Sequence, residues 1–175
     1  MKVSSLSHVA LVVSNLEDAV SFYWDAFKFP LVFADEMDPE LVKRLYGLEG
    51  ISIRYGMIRT PKGGGIEVFE YSQSLPSSDF RWEQVGQQHF ALEVSNVSGW
   101  YDKLKDRVEF ITPPEKNKAA GADLVYLKDF DGNVIELIDT KNKYHLNRWF
   151  GSLAGFFMQR TMFSKFYQSN EQKVK

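Results

Sequence analysis

A gapless internal repeat constrains this chain more than any other feature. His8 to Phe29 reads HVALVVSNLEDAVSFYWDAFKF, and His89 to Phe110 reads HFALEVSNVSGWYDKLKDRVEF. At an offset of 81, eight of the 22 positions are identical: His8/His89, Ala10/Ala91, Leu11/Leu92, Val13/Val94, Ser14/Ser95, Asn15/Asn96, Asp25/Asp106 and Phe29/Phe110. A second echo sets Ile66-Glu67-Val68-Phe69-Glu70 against Ile135-Glu136-Leu137-Ile138-Asp139, at an offset of 69. The smaller offset means that the first half carries the longer insertion. Self-similarity of this kind marks copies of one supersecondary unit, so the chain is read as two halves built on one plan.

Each half has the same order of elements. Residues 6–13 and 89–94 are β-rich runs of alternating character, hence strands. Ser14-Asn15 and Ser95-Asn96 then supply N-cap chemistry for a helix. Leu16, Ala19, Val20, Tyr23 and Phe27 form one helical stripe, and Val97, Trp100, Tyr101 and Leu104 form the other. Further strands are expected at residues 31–34, 51–60 and 66–71, and again at 109–112, 124–129 and 133–139. Lys62-Gly63-Gly64-Gly65 and Asp131-Gly132-Asn133 read as hairpin turns, because Gly and Asn tolerate positive φ. The second turn does not read as a calcium loop, since the Gly and acid required at loop positions 6 and 12 are Val134 and Thr140. The result is α+β: two tandem βαβββ modules, residues 1–74 and 89–140, forming a curved mixed sheet around a metal cleft. Residues 75–88 link them, and residues 141–175 add a helical tail.

Strand side chains alternate between faces. Val9, Leu11 and Val13 face the first helix, as Phe90, Leu92 and Val94 face the second, which leaves His8 and His89 on the other side. Glu67 and Glu136 each sit between apolar neighbours on the later strands. Burying a carboxylate costs several kcal/mol unless it is paired or coordinated. Two His and two Glu at repeat-equivalent places, converging in one cleft, suit a divalent cation: Zn, Ni, Co, Mn or Fe. Taken singly, each has a plainer reading as a satisfied structural His or a solvated strand Glu. The chain has no Cys, so disulfides, Fe–S clusters and thiolate zinc sites are excluded. A pI near 5.9 argues against a general nucleic-acid surface. With no apolar run near the roughly 20 residues of a membrane span and no signal-peptide core after Met1-Lys2, a cytoplasmic location is expected.

The segments SHVALVVSNLEDAVSFY, GIEVFEY, QHFALEVSN and DFDGNVIELID resemble the vicinal-oxygen-chelate superfamily of glyoxalase I, bleomycin-resistance proteins, methylmalonyl-CoA epimerase and extradiol dioxygenases. The resemblance covers about residues 4–140. It implies that His8, Glu67, His89 and Glu136 are the metal ligands of a glyoxalase I-type site. It further implies a lyase or isomerase that moves a proton beside a carbonyl, with Glu136, or else Glu67, as the base. Arg54, Arg59 and Lys128 are candidate substrate anchors, with solvated surface charge as the alternative for each. The loop at residues 113–122 is a candidate lid or a plain mobile loop. Two alternatives share the fold: an Fe(II) ring-cleaving dioxygenase, and a non-enzymatic binder like the bleomycin-resistance proteins. The four-ligand set disfavours both, and the one spare His, His145, lies in the tail. The resemblance also implies a homodimer acting on a small-molecule substrate, so that His8/Glu67 and His89/Glu136 could come from different chains.

The net charge of −2 conceals a split. Residues 1–140 hold 14 basic and 22 acidic side chains, whereas residues 141–175 hold seven basic and one acidic, with eight of the 26 aromatics. Trp149, Leu153, Phe156, Phe157, Arg160, Phe163, Phe166 and Tyr167 recur at helical spacing. The tail is therefore expected to form one or two amphipathic helices covering the body or a second subunit, in preference to lying on a membrane.

Overall fold

The computed structural model describes residues 5–75, 80–86, 89–118, 120–141 and 143–158. The first half runs β1 (His8–Val13), α1 (Leu16–Phe27), β2 (Leu31–Glu36), α2 (Pro39–Tyr46), β3 (Ile53–Arg59) and β4 (Gly65–Tyr71). The second runs β5 (Phe90–Glu93), α3 (Val97–Leu104), β6 (Glu115–Asn117), β7 (Ala122–Lys128) and β8 (Val134–Asp139), followed by α4 (Lys143–Met158). Each half is a four-stranded mixed sheet, ordered β1-β4-β3-β2 and β5-β8-β7-β6. The first strand of each lies parallel to the last, while the remaining neighbours are antiparallel.

The two sequence echoes land in one register. Ala10 pairs with Glu67 in the first sheet and Ala91 with Glu136 in the second. The helix starts match as well: Asn15 Oδ1 accepts from Asp18 N at 2.9 Å, and Asn96 Oδ1 accepts from Gly99 N at 3.0 Å. A Cβ at position 99 would stand 2.5 Å from the Asn96 amide nitrogen, so a larger residue there would push the capping side chain aside. Each cap satisfies an otherwise orphaned helix N–H.

One apolar core joins the helices and sheets of the two halves. Val13, Leu16, Ala19, Tyr23 and Phe27 of the first half pack with Val97, Leu104, Val125, Leu127, Ile135 and Leu137 of the second. Phe27 and Trp100 meet at 5.9 Å between ring centroids. Fully burying each such side chain contributes about 1.5–3 kcal/mol, enough for this seam to hold the halves together. Polar contacts fix it further: Ser14 N donates to Asp131 Oδ2 at 2.7 Å, and the Tyr23 hydroxyl donates to Asp129 Oδ2 at 3.3 Å. Asp129 also accepts from the backbone N–H groups of Asp131 and Asn133 and from the Asn133 amide, which closes the turn around Gly132. Burial pushes the Asp129 carboxyl above the usual range even though these donors pull it down.

Two elements differ from the sequence expectation. The longer insertion of the first half contains α2, a helix capped by Asp38 and Gly47, whose buried Val42 packs with Ile53 and Phe69. A strand at residues 109–112 is replaced by a single bridge, Phe110 to Leu127, and the edge strand is β6. Backbone bonds from Lys128 N to Glu109 O at 2.9 Å and from Ile111 N to Tyr126 O at 2.8 Å hold this bridge against β7, and the Phe110 ring packs on Tyr101 with centroids 4.7 Å apart. The tail begins with a helix, as expected. Trp149, Phe150, Leu153, Phe156 and Phe157 stand exposed on it within the single chain. Arg160, Phe163, Phe166 and Tyr167 lie outside the described residues. No helix among the described residues is long and apolar enough to cross a membrane.

Candidate metal centre

On both sheets the face turned away from the core carries the His–Glu pair. His8 Nε2 lies 3.0 Å from Glu67 Oε2, and His89 Nε2 lies 3.3 Å from Glu136 Oε2. The first pair joins the edge strand β1 to its inner neighbour β4, and the second joins the start of β5 to β8. Both His side chains are about one-third exposed, whereas Glu67 and Glu136 are 17% and 10% exposed. With its proton on Nε2 a neutral imidazole donates to the carboxylate across this distance; with the proton on Nδ1, a nitrogen lone pair and a carboxylate oxygen are left side by side for a cation. The donor chemistry, nitrogen and oxygen only, fits a borderline divalent ion. Among the described residues no three His, Cys, Asp or Glu side chains form a group able to hold one ion. The four expected ligands therefore occur as two separate pairs within one chain.

The pairs have unequal surroundings. Tyr126 stands opposite Glu136 in the β7–β8 ladder, and its hydroxyl donates to Glu136 Oε1 at 3.4 Å, at the long end of hydrogen-bonding range. Burial, and then the Glu136 charge, raise the Tyr126 hydroxyl above the ordinary phenol value, which keeps it a donor. The corresponding place opposite Glu67 is held by Met57, which offers no such bond. Trp82, from the segment between the halves, stands edge-on to Tyr126 at 4.7 Å and to His89 at 6.3 Å. Neither aromatic was expected from motifs. Tyr126 was within reach, because counting back from the Asp131-Gly132 turn pairs it with Glu136.

The candidate anchors occupy three different environments. Arg54 faces the core side of the first sheet, the opposite side from Glu67. Its fork donates to Glu17 at 2.6 and 2.8 Å and to Glu70 at 2.5 Å, and Glu70 in turn accepts from Leu16 N at 2.7 Å. Arg54 thus ties α1 to the sheet and lies away from both His–Glu pairs. Arg59 and Lys128 are repeat-equivalent ends of β3 and β7, on the same face as the pairs. Arg59 is exposed, while Lys128 Nζ donates to Glu109 Oε1 at 2.6 Å. The 113–122 loop contains β6 and contacts the tail, since Lys143 Nζ donates to Ala120 O at 2.6 Å.

This fold and these paired sites define a family. The chain belongs to the Glyoxalase/Bleomycin resistance protein/Dioxygenase superfamily, whose model matches residues 5–137. A protein of Shewanella frigidimarina is 26% identical over 143 residues, covering 79% of this chain and 96% of its own. A glyoxalase family protein from Bacillus cereus superposes with a TM-score of 0.69 at 21% identity, over 79% of this chain and 95% of that one. The trypanothione-dependent glyoxalase I of Leishmania major gives 0.60 at 16% identity, over 88% and 99%. A fosfomycin-resistance protein from Listeria monocytogenes gives 0.54 at 20%, over 79% and 94%. At these identities the structures establish the fold, which hosts more than one chemistry.

Proposed function

We propose that the chain is a divalent-metal-dependent lyase or isomerase of glyoxalase I type, acting on a small-molecule substrate. The observation that carries this reading is the recurrence, in both halves, of a His nitrogen and a Glu oxygen held face to face at 3.0 and 3.3 Å. His8, Glu67, His89 and Glu136 would hold the ion, whether Zn, Ni, Co, Mn or Fe. When bound, such an ion supplies Lewis-acid stabilisation of negative charge developing on a substrate oxygen. Glu136 takes a proton from the carbon beside the carbonyl and returns it to a neighbouring position. Tyr126, donating to Glu136 Oε1, keeps that carboxylate in place while it carries the proton. Glu67 lacks an equivalent donor, which supports Glu136 as the base.

Because the pairs stand apart in one chain, a four-ligand set calls for two copies. Each His8–Glu67 pair would face the His89–Glu136 pair of a second copy in a homodimer. Metal analysis tests the reading directly. Wild type should hold about one ion per chain, and the double variant His8→Ala/His89→Ala should hold none. Undiminished metal in that variant would sink the site.

A further inference from the structure

The segment between the halves does more than connect them. Phe80 and Trp82 meet edge to face at 4.7 Å, and Trp82 continues the contact onto Tyr126 at 4.7 Å and His89 at 6.3 Å. His89 and Tyr126 are themselves 5.2 Å apart. Two aromatic rings, Trp82 and Tyr126, therefore border the His89–Glu136 pair on the face that carries it, with Phe80 behind Trp82. On the first sheet Met57 takes the place of Tyr126, and the aromatic residues of that face, Tyr55, Phe69 and Tyr71, pack on one another further along the strands; Trp82 comes from outside the repeated elements. Trp82 is also 51% exposed beside a polar pair. An indole exposed by half at the mouth of a site is apolar area that a ligand of matching character removes from water. Lys128, on the same face, is committed to Glu109 at 2.6 Å.

We propose that Trp82, backed by Phe80 and Tyr126, is a specificity-determining wall. It selects substrates whose metal-binding oxygens adjoin a flat, apolar group, such as an aryl-substituted carbonyl compound, over small alkyl ones. The proposal rests on the metal-site reading above and names the substrate class for it. Its physical basis is edge-to-face packing of a planar group on the Trp82 indole, next to the His89 and Glu136 side chains that would hold the ion to which those oxygens bind.

Two hydroxamates separate this proposal from the reading beneath it. Benzohydroxamate and acetohydroxamate chelate through the same pair of oxygens and differ only in phenyl against methyl. Calorimetric titration of the zinc-loaded full chain should show the phenyl compound binding about tenfold more tightly. Trp82→Ala should bring the two affinities together, and Trp82→Phe should keep most of the difference, which also covers the case of an alanine variant that folds poorly. Equal affinities in wild type, or a preference unchanged in Trp82→Ala, overturn the wall and leave the metal site standing. A chain that binds no zinc overturns the metal-site reading and the wall with it, whereas a zinc-loaded chain that binds neither hydroxamate overturns the wall alone.

Discussion

At the scale of single residues, the inequality of the two His–Glu pairs has measurable consequences. Glu136→Gln should abolish proton-transfer turnover while leaving the circular dichroism and Tm of the apoprotein close to wild type, because the amide has the same shape. Full turnover in this variant would reassign the base. Tyr126→Phe keeps the ring against His89 and Trp82 and removes only the donor to Glu136. Outer-shell donors to metal ligands typically carry 10–100-fold in affinity, so competition with a chelator should show at least about a tenfold loss of zinc binding. An unchanged affinity would make Tyr126 a packing residue. The four ligand candidates were legible in the sequence because the repeat marked them twice. Trp82 was not, since it has no partner in the repeat and lies in a segment with no strand or helix period. Arg54 was misleading in isolation, for a basic residue on a strand does not reveal which face it takes until Glu17 and Glu70 are placed around it.

At the scale of elements, α1 is held to the first sheet by the Arg54 fork and by the Leu16 N–H donating to Glu70. The Arg54 guanidinium holds the Glu17 carboxyl below its ordinary value of 4.5. A carboxylate lowered in the folded state stabilises it above the unfolded value, and that contribution disappears as the pH falls through the folded one. Arg54→Met should therefore lower Tm at pH 7, and its gap from wild type should close below about pH 4.5. The ion pairs are solvent-screened, so a shift of roughly 2 °C is expected at neutral pH. A gap that persists at pH 3 would point to lost packing of the Arg54 stem instead. In the second half, Leu104 seats α3 in the core at 1% exposure, and Leu104→Ala should cost about 3 kcal/mol in chemical denaturation. Most elements could be read from periodicity and caps. α2 could not, although Asp38, Pro39 and Gly47 mark its ends, because only Val42 of its eight residues is buried and the apolar stripe is correspondingly thin. The β6 edge has the opposite cause: Glu115, Lys116 and Asn117 are all exposed and give no alternating signal.

At the scale of the whole molecule, the proposed homodimer makes a prediction that one chain cannot satisfy alone. His8→Ala and His89→Ala should each be defective in metal binding. Mixed and allowed to exchange subunits, they should regain one intact site per heterodimer, because the undamaged pairs then face each other. No recovery in a mixture that demonstrably exchanges would place the whole site within one chain. The tail adds a second property at this scale, an exposed aromatic stripe on α4 attached to an otherwise acidic body. The common core of the two halves has a mechanical meaning. Ser14 is bonded to Asp131 and Tyr23 to Asp129, with Phe27 and Trp100 packed alongside, so polar and apolar contacts join the halves at once. In the proposed homodimer each chain would then present its two His–Glu pairs as one preset unit. The spacing between facing pairs would be set by how the copies dock, not by motion within a chain.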